Sequence, residues 1–184
     1  MSFLKKLFGK KEEVKKEEVK KEEVKKQEVK KEESKIATVS NGELVELSEV
    51  PDEVFSQKMM GDGFAMKTSD GVIVSPVDGK VENVFPTKHA LGITTKDGKE
   101  VLLHLGVDTV NLKGQGFEVF VNEGQEVKIG DKLVKMDVEF IENSEEAKSS
   151  MPIVVFTNLQ EGESVKLKTG STTAGELDRI EIVK

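Results

Sequence analysis

From residue 36 onward, apolar residues occur in short runs that alternate with turn-forming pairs. These pairs are Asn41-Gly42, Asp70-Gly71, Asp78-Gly79, Asp97-Gly98, Glu123-Gly124, Ile129-Gly130 and Glu161-Gly162. Their spacing is close to the about 8–12 residues that separate turns in sandwiches and barrels. Helical patterns occur only near residues 53–57 and 140–148. The pattern therefore predicts an all-β domain over residues 36–184, an antiparallel β-sandwich or barrel.

Residues 10–35 consist mainly of a five-residue repeat, KKEEV. A step of five residues turns an α-helix by about 140° beyond one full turn, so the valines do not form an apolar stripe. This segment cannot bury a hydrophobic face against a partner helix. We therefore interpret it as a solvated spacer, a helical or disordered extension ahead of the β domain.

Residues 1–9 have a different, amphipathic pattern. Met1, Leu4 and Phe8 lie on one helical stripe, with lysines toward its rim. Such a segment suits the boundary of a membrane that contains anionic lipid, although so few apolar residues bind weakly and reversibly. We expect weak membrane contact through residues 1–11.

Charge is divided unevenly along the chain. Residues 1–33 contain 12 lysines and 9 glutamates, which leaves 16 basic and 26 acidic residues in the rest. An acidic domain lacks the basic footprint that nucleic acid requires, so we expect no nucleic-acid partner. The absence of cysteine excludes disulfides and thiol chemistry. With no signal-peptide pattern and no apolar run long enough to span a bilayer, the protein is expected to be cytoplasmic.

The two histidines, His89 and His104, lie on either side of the Asp97-Gly98 pair. A DG pair between apolar runs predicts a hairpin with a two-residue turn. That turn would place His104 opposite Leu91 and bring His89 to the same face as a diagonal neighbour. A three-residue loop would instead put the two rings on opposite faces.

Two imidazoles on one face can act on a phosphoryl group or bind a metal, since neutral imidazole is both a nucleophile and a ligand. The alternative is that each histidine is an ordinary core or surface residue. Thr87 is placed to hydrogen-bond with a histidine, and Asp108 is expected on the same side of an extended strand as His104. The chain has no Gly-rich nucleotide-binding motif, so a phosphoryl group would have to come from another protein.

Three separated segments closely resemble the glucose-type enzyme IIA family of the bacterial phosphoenolpyruvate-dependent sugar phosphotransferase system. They are PDEVFSQKMMGDGFA from Pro51, PVDGKVENVFPTKHALGI from Pro76 and HLGVDTVNLKGQGF from His104. The resemblance implies an antiparallel β fold of the duplicated hybrid motif type. It also implies a phosphotransferase component that relays a phosphoryl group and uses no nucleotide itself.

By this resemblance, His104 accepts the phosphoryl group from the carrier protein HPr and passes it to the IIB domain of a sugar permease. His89 would stabilise the phosphoryl group, and Thr87 would hydrogen-bond to the histidine pair. The partner-binding face would include apolar residues and an acidic rim: Val54, Phe55, Phe85, Asp52 and Asp108.

Other readings of the sequence remain open. The chain could be a regulatory protein whose unphosphorylated form inhibits permeases or metabolic enzymes. No cofactor is required for the relay, but zinc could bind at His89 and His104 with a ligand from a partner. A zinc hydrolase would need a third histidine, which the chain lacks. A biotinyl or lipoyl carrier would need its lysine at a hairpin tip, whereas Lys135 is predicted within a strand.

Overall fold

The computed structural model describes residues 34–184, and nearly all regular structure in this range is β. The strands are β1 (Gly42–Val45), β2 (Asp62–Thr68), β3 (Val72–Val74), β4 (Gly79–Val84), β5 (Ala90–Thr95), β6 (Glu100–Val107), β7 (Phe117–Val119), β8 (Glu126–Val127), β9 (Lys132–Met136), β10 (Ser149–Phe156), β11 (Ser164–Leu167), β12 (Gly170–Thr172) and β13 (Ile180–Val183). The helical pieces are α1 (Glu53–Ser56), α2 (Val138–Glu142) and two 3₁₀ turns, η1 (Leu47–Glu49) and η2 (Thr109–Leu112). The predicted all-β class is confirmed. The amphipathic segment at residues 1–9 and nearly all of the spacer lie outside the described residues.

The strands form three antiparallel sheets. The largest has eight strands in the order β12-β1-β2-β10-β6-β5-β4-β8, the second has the order β3-β9-β7, and the third pairs β11 with β13. The main core includes Phe64, Leu103 and Val154 from the eight-stranded sheet and Ile73 and Val134 from the three-stranded sheet. All five are fully buried, so this core is closed to solvent on the inner face of the large sheet.

A second apolar cluster covers the outer face of the same central strands. Its members are Val45, Leu47, Val50, Phe55, Ala65, Val107, Ile153 and Val155, with Leu102 and Met151 packed at its edge. The helix α1 contributes Phe55 to this cluster. Strands β2, β10 and β6 are therefore covered on both faces, and α1 lies over the face that the main core does not use.

The start of α1 is fixed by a local cap. The carboxylate of Asp52 accepts hydrogen bonds from the backbone N–H groups of Val54 and Phe55 at 2.9 and 3.2 Å. A capping aspartate satisfies the N–H donors that the first turn of a helix leaves free. The cap sets the orientation of the short helix and hence the position of Phe55.

The hairpin between β5 and β6 differs from the sequence prediction. Ala90, not Leu91, pairs with His104. The backbone N–H of Thr95 donates to the carbonyl of Lys99, and Gly98 has φ of 90°. The loop therefore has three residues and ends in a left-handed glycine, as is common for hairpin loops of this length. The prediction of a two-residue turn was wrong by one residue.

One of the two helix predictions also needs correction. The helix expected near residues 53–57 is present as α1, but the one expected at 140–148 is α2, which begins at Val138 and ends at Glu142. Asp137 caps it by accepting a hydrogen bond from the N–H of Phe140 at 3.0 Å. The cap sets the start two residues earlier, and β10 begins at Ser149. Within residues 34–184, no helix has the length and apolar character needed to cross a bilayer.

Candidate functional site

His104 lies in the middle of β6, where residues alternate between the two faces of the large sheet. Leu103 and Leu105 are fully buried in the main core, whereas Leu102 and His104 are only partly buried. Because neighbours in a strand point to opposite faces, His104 shares the outer face with the second cluster. The ring of Phe55 lies against it, with centroids 5.0 Å apart. A polar ring is thus placed at the edge of an apolar layer.

His89 reaches the same face by a different route from the one predicted. The three-residue loop alone would have put the two histidines on opposite faces. However, β5 begins only at Ala90, and Lys88 has a left-handed φ of 57°, so strand alternation does not extend to His89. The His89 carbonyl accepts a hydrogen bond from the N–H of Leu105 at 2.7 Å. The two imidazole centroids are 5.2 Å apart, so the predicted proximity of the rings is present.

Both rings are held by a hydrogen bond at Nδ1. The His104 Nδ1 lies 2.7 Å from the carbonyl oxygen of Gly106, and the His89 Nδ1 lies 2.6 Å from the hydroxyl of Thr87. A carbonyl only accepts, so the His104 Nδ1 carries the hydrogen in this bond. The Nε2 atom of His104 is then the unprotonated nitrogen of the neutral ring.

Gly106 supplies the carbonyl that holds the His104 ring, a role that the sequence did not reveal. Its φ is 89°, and a Cβ at this position would lie 2.5 Å from the Ser149 carbonyl oxygen. Only glycine adopts this conformation without strain, and it aims the carbonyl back at the ring. A backbone acceptor has no side-chain signal in a sequence, so a glycine two residues after His104 was the only available hint.

Apolar side chains surround the two rings. Phe55 is 7% exposed against His104, while Phe85 is 39% exposed and its ring centroid lies 5.5 Å from that of His89. Val54, also 39% exposed, precedes Phe55 on α1. The structure therefore places Phe55 and Phe85 in contact with the histidines and leaves Val54 exposed on α1.

The two predicted acidic residues lie near His104 in different ways. Asp52 caps α1 and is only partly buried. Asp108 follows the end of β6 with a left-handed φ of 59° and precedes η2. The expectation that Asp108 continues an extended strand was therefore wrong, because the chain turns at this residue. The charges of Asp52 and Asp108 both favour the protonated form of His104 and so oppose the lowering of its pKa by burial.

Burial outweighs these charges at His104. It lowers the pKa of His104 below the ordinary value of 6.5, and it likewise lowers the pKa of His89. Desolvation disfavours the imidazolium form, and for His104 the neighbouring His89 adds to the effect. Both rings are therefore predominantly neutral at pH 7, and a neutral His104 has a free lone pair.

Two further sequence expectations concern metal and lysine chemistry. In the described part of the chain, no group of three or more His, Cys, Asp or Glu side chains is arranged to hold a metal ion. Lys135 lies inside β9 and donates to the Asp70 carbonyl, so it is not at a hairpin tip. The biotinyl or lipoyl carrier alternative therefore has no structural support, and Lys135 lies within a strand as predicted.

Comparisons with known proteins identify the family of this chain. Residues 34–162 match the family model for the phosphoenolpyruvate-dependent sugar phosphotransferase system, EIIA 1. This range contains both histidines and all the site residues described above. The glucose permease IIA from Mycoplasma capricolum has a similar structure, with a TM-score of 0.73, 41% sequence identity and coverage of 81% of this chain and 96% of that one.

Sequence relatives give the same assignment. A glucose-specific EIIA component from Staphylococcus epidermidis is 42% identical over 179 residues, which is 97% of each chain. One from Staphylococcus aureus is 44% identical over 163 residues, which is 89% of this chain and 87% of the relative. Since the family model covers most of the chain and relatives above 40% identity span nearly all of it, this protein belongs to the EIIA 1 family of the phosphoenolpyruvate-dependent sugar phosphotransferase system.

Proposed function

We propose that this protein is a phosphocarrier that accepts a phosphoryl group on His104 Nε2 from phosphorylated HPr and passes it to the IIB domain of a sugar permease. The observation that carries the proposal is the 2.7 Å hydrogen bond between His104 Nδ1 and the Gly106 carbonyl. It commits one nitrogen as a donor and leaves the other as the nucleophile. The names of the relatives point to glucose as the transported sugar.

Burial keeps the proposed acceptor, His104, in its neutral form. Because the pKa of His104 lies below 6.5, the lone pair on Nε2 is available at neutral pH without removal of a proton by a base. In the first step this lone pair forms a bond to phosphorus. The bond between phosphorus and the donor's histidine nitrogen breaks, and its electron pair stays on the donor's ring. In the second step the Nε2–phosphorus bond breaks as a thiolate of IIB attacks, and the electron pair returns to His104.

His89 is placed to stabilise the transferring group. When the Thr87 hydroxyl donates to His89 Nδ1, the proton of the neutral His89 ring lies on Nε2. That N–H can donate to a phosphoryl oxygen at the neighbouring ring, 5.2 Å away between centroids. Phosphoryl transfer depends mainly on positioning and charge stabilisation, so one fixed donor beside the acceptor is an effective contribution.

The surroundings of the rings suit docking of a second protein. Phe55 and Phe85 contact the histidines, and Val54 extends the apolar surface outward. A docked partner would exclude water from the transferring group. Asp52 and Asp108 would face basic side chains of HPr, an arrangement that speeds association through charge complementarity.

We further propose that zinc binds at this pair only when a partner supplies more ligands. Both Nδ1 atoms are engaged in hydrogen bonds, so only the Nε2 atoms of His89 and His104 remain as ligands for zinc. Tetrahedral zinc needs four ligands, and two imidazoles leave the site half filled. The ion would stabilise a regulatory complex and take no part in the transfer. Tight binding of zinc to the isolated protein in calorimetry would contradict this proposal.

The relay is tested by phosphorylation with phosphoenolpyruvate, enzyme I and HPr, followed by intact mass measurement and an acid-lability assay. The wild type and His89→Gln are expected to gain one acid-labile phosphoryl group, and His104→Gln none. If the wild type gains no phosphoryl group under conditions where another EIIA does, the proposed function is wrong. If His104→Gln is phosphorylated, the assignment of the acceptor is wrong.

A further inference from the structure

We propose that Met59 and Met60 form a methionine oxidation site that regulates docking at the histidine pair, an inference that rests on the proposed function. The modifying agent is a two-electron oxidant of the peroxide class. It transfers one oxygen atom to each thioether sulfur and is itself reduced to water or an alcohol, while the methionine becomes its sulfoxide.

The exposure of these side chains is unusual among the methionines of residues 34–184. Met59 is 70% exposed and Met60 43% exposed, whereas Met66 and Met136 are essentially inaccessible in the main core. Met151 is partly buried at the edge of the second cluster. Oxidation by a dissolved peroxide follows access to the sulfur atom, so it should select Met59 and Met60.

The turn that carries the two methionines continues directly from α1. The backbone N–H of Met59 donates to the carbonyl of Val54 at 3.0 Å, within one turn of the helix whose Phe55 lies against the His104 ring. We therefore assign the two exposed side chains to the same apolar surface as the exposed Val54, to which this hydrogen bond joins their backbone. A protein that docks over His104 would meet this turn at the border of the same surface.

The turn is held in place by an ion pair and a hydrogen bond. Lys58 has a left-handed φ of 56°, and its Nζ lies 2.7 Å from Oδ1 of Asp62. The other carboxylate oxygen of Asp62 accepts from the N–H of Val165 at 2.9 Å, which ties the turn to the strand β11. The backbone thus holds Met59 and Met60 outward. Two apolar side chains kept in solvent by a fixed turn indicate a surface that a partner covers.

Methionine suits a docking surface, and its oxidation can weaken docking. Its flexible, polarizable side chain adapts to several partners, and the sulfoxide is polar and chiral. Oxidation would place two polar sulfoxide groups on a surface that must be desolvated when a partner docks. Because Met59 and Met60 lie outside the histidine pair and its hydrogen bonds, we expect weaker docking with unchanged chemistry at His104.

The test compares the rate of phosphoryl acceptance before and after treatment with hydrogen peroxide, which is then removed with catalase. Peptide mapping should show a gain of about 16 Da, one oxygen atom, on each of Met59 and Met60, and none on Met66 or Met136. We expect kcat/KM for phosphorylated HPr to fall roughly ten-fold, with the loss mainly in KM. Methionine sulfoxide reductases should restore the rate.

The double variant Met59→Leu/Met60→Leu supplies the control, because it keeps Met1 and Met151 but has no sulfur at the proposed site. Each rate is compared with that of the same protein before oxidation, so that effects of the substitutions themselves cancel. The ratio should stay near one in the double variant. An equal loss in the double variant, or no loss in the oxidised wild type, would overturn the inference. Failure of the unoxidised wild type to accept a phosphoryl group would instead overturn the proposed function.

Discussion

Replacement of Thr87 by valine tests how the site controls the proton on His89. Valine has nearly the same shape as threonine but lacks the hydroxyl that lies 2.6 Å from His89 Nδ1. Without that bond, the proton of the neutral His89 ring can move to Nδ1, which leaves Nε2 as an acceptor facing the phosphoryl oxygens. The rate of phosphoryl transfer should fall although His104 is untouched.

The size of the effect can be bounded from the structure. The Thr87–His89 bond joins two neutral groups, and such a bond contributes about 1 kcal/mol, or roughly a 5-fold change in rate. At most, the substitution removes the whole contribution of His89 to a charged phosphoryl group, about 3 kcal/mol or roughly 150-fold. The loss should therefore lie between about 5- and 150-fold.

The assay is rapid-quench measurement of phosphoryl transfer from HPr to the Thr87→Val protein, with nitrogen NMR to identify the protonated nitrogen of His89. Thr87→Ser keeps a hydroxyl and should retain most of the rate. Thr87→Val in the His89→Gln background should lose less than about two-fold more, because the hydroxyl acts only through that ring. A large further loss, or a wild-type rate in Thr87→Val, would refute this reasoning.

Two further predictions concern packing and pH. Phe55→Ala should lower the free energy of unfolding by about 3–5 kcal/mol because the side chain is 7% exposed, whereas Phe85→Ala, at 39% exposed, should cost less than about 1.5 kcal/mol. Equal costs in urea unfolding would contradict the different burial of the two rings. The second prediction follows from the lowered pKa of His104: as pH falls through 6.5, the rate of phosphoryl acceptance should hold its plateau and decline only at lower pH. Over the same range the free energy of unfolding should decrease, because the unfolded chain binds protons that the folded histidines do not. A rate profile with its midpoint at or above 6.5 would show that burial does not control this ring.

The sequence alone determined the fold class and singled out His89 and His104 as the candidate functional side chains. Short apolar runs with turn pairs at regular intervals are consistent only with many short strands, because each turn leaves too few residues for a long helix. His104 was conspicuous because an imidazole in the middle of the apolar run from Val101 to Val107 needs a reason to be there, and His89 because it lies across the same hairpin. Local pattern was sufficient for both conclusions.

The way in which the histidines meet was decided by the tertiary structure. The hairpin loop has three residues where the sequence predicted two, and this shift by itself would separate the rings. Lys88 has a left-handed φ, so the alternation of strand β5 does not extend back to His89. The His89 ring can therefore lie on the same face as the His104 ring. A backbone torsion at a lysine cannot be read from residue type, since lysine rarely adopts this conformation.

The surroundings of the site also depended on contacts distant in sequence. Phe55 reaches His104 only because the Asp52 cap orients α1 across the outer face of strands that follow much later in the chain. The carbonyl of Gly106 fixes the hydrogen of the neutral His104 ring on Nδ1, and a backbone oxygen leaves no trace in the pattern of side chains. The turn that carries Met59 and Met60 is joined through Asp62 both to Lys58 and to Val165, 103 residues later in the chain. Sequence pattern determines which residues prefer to be buried, whereas torsions and long-range packing determine which of them meet and which remain in solvent.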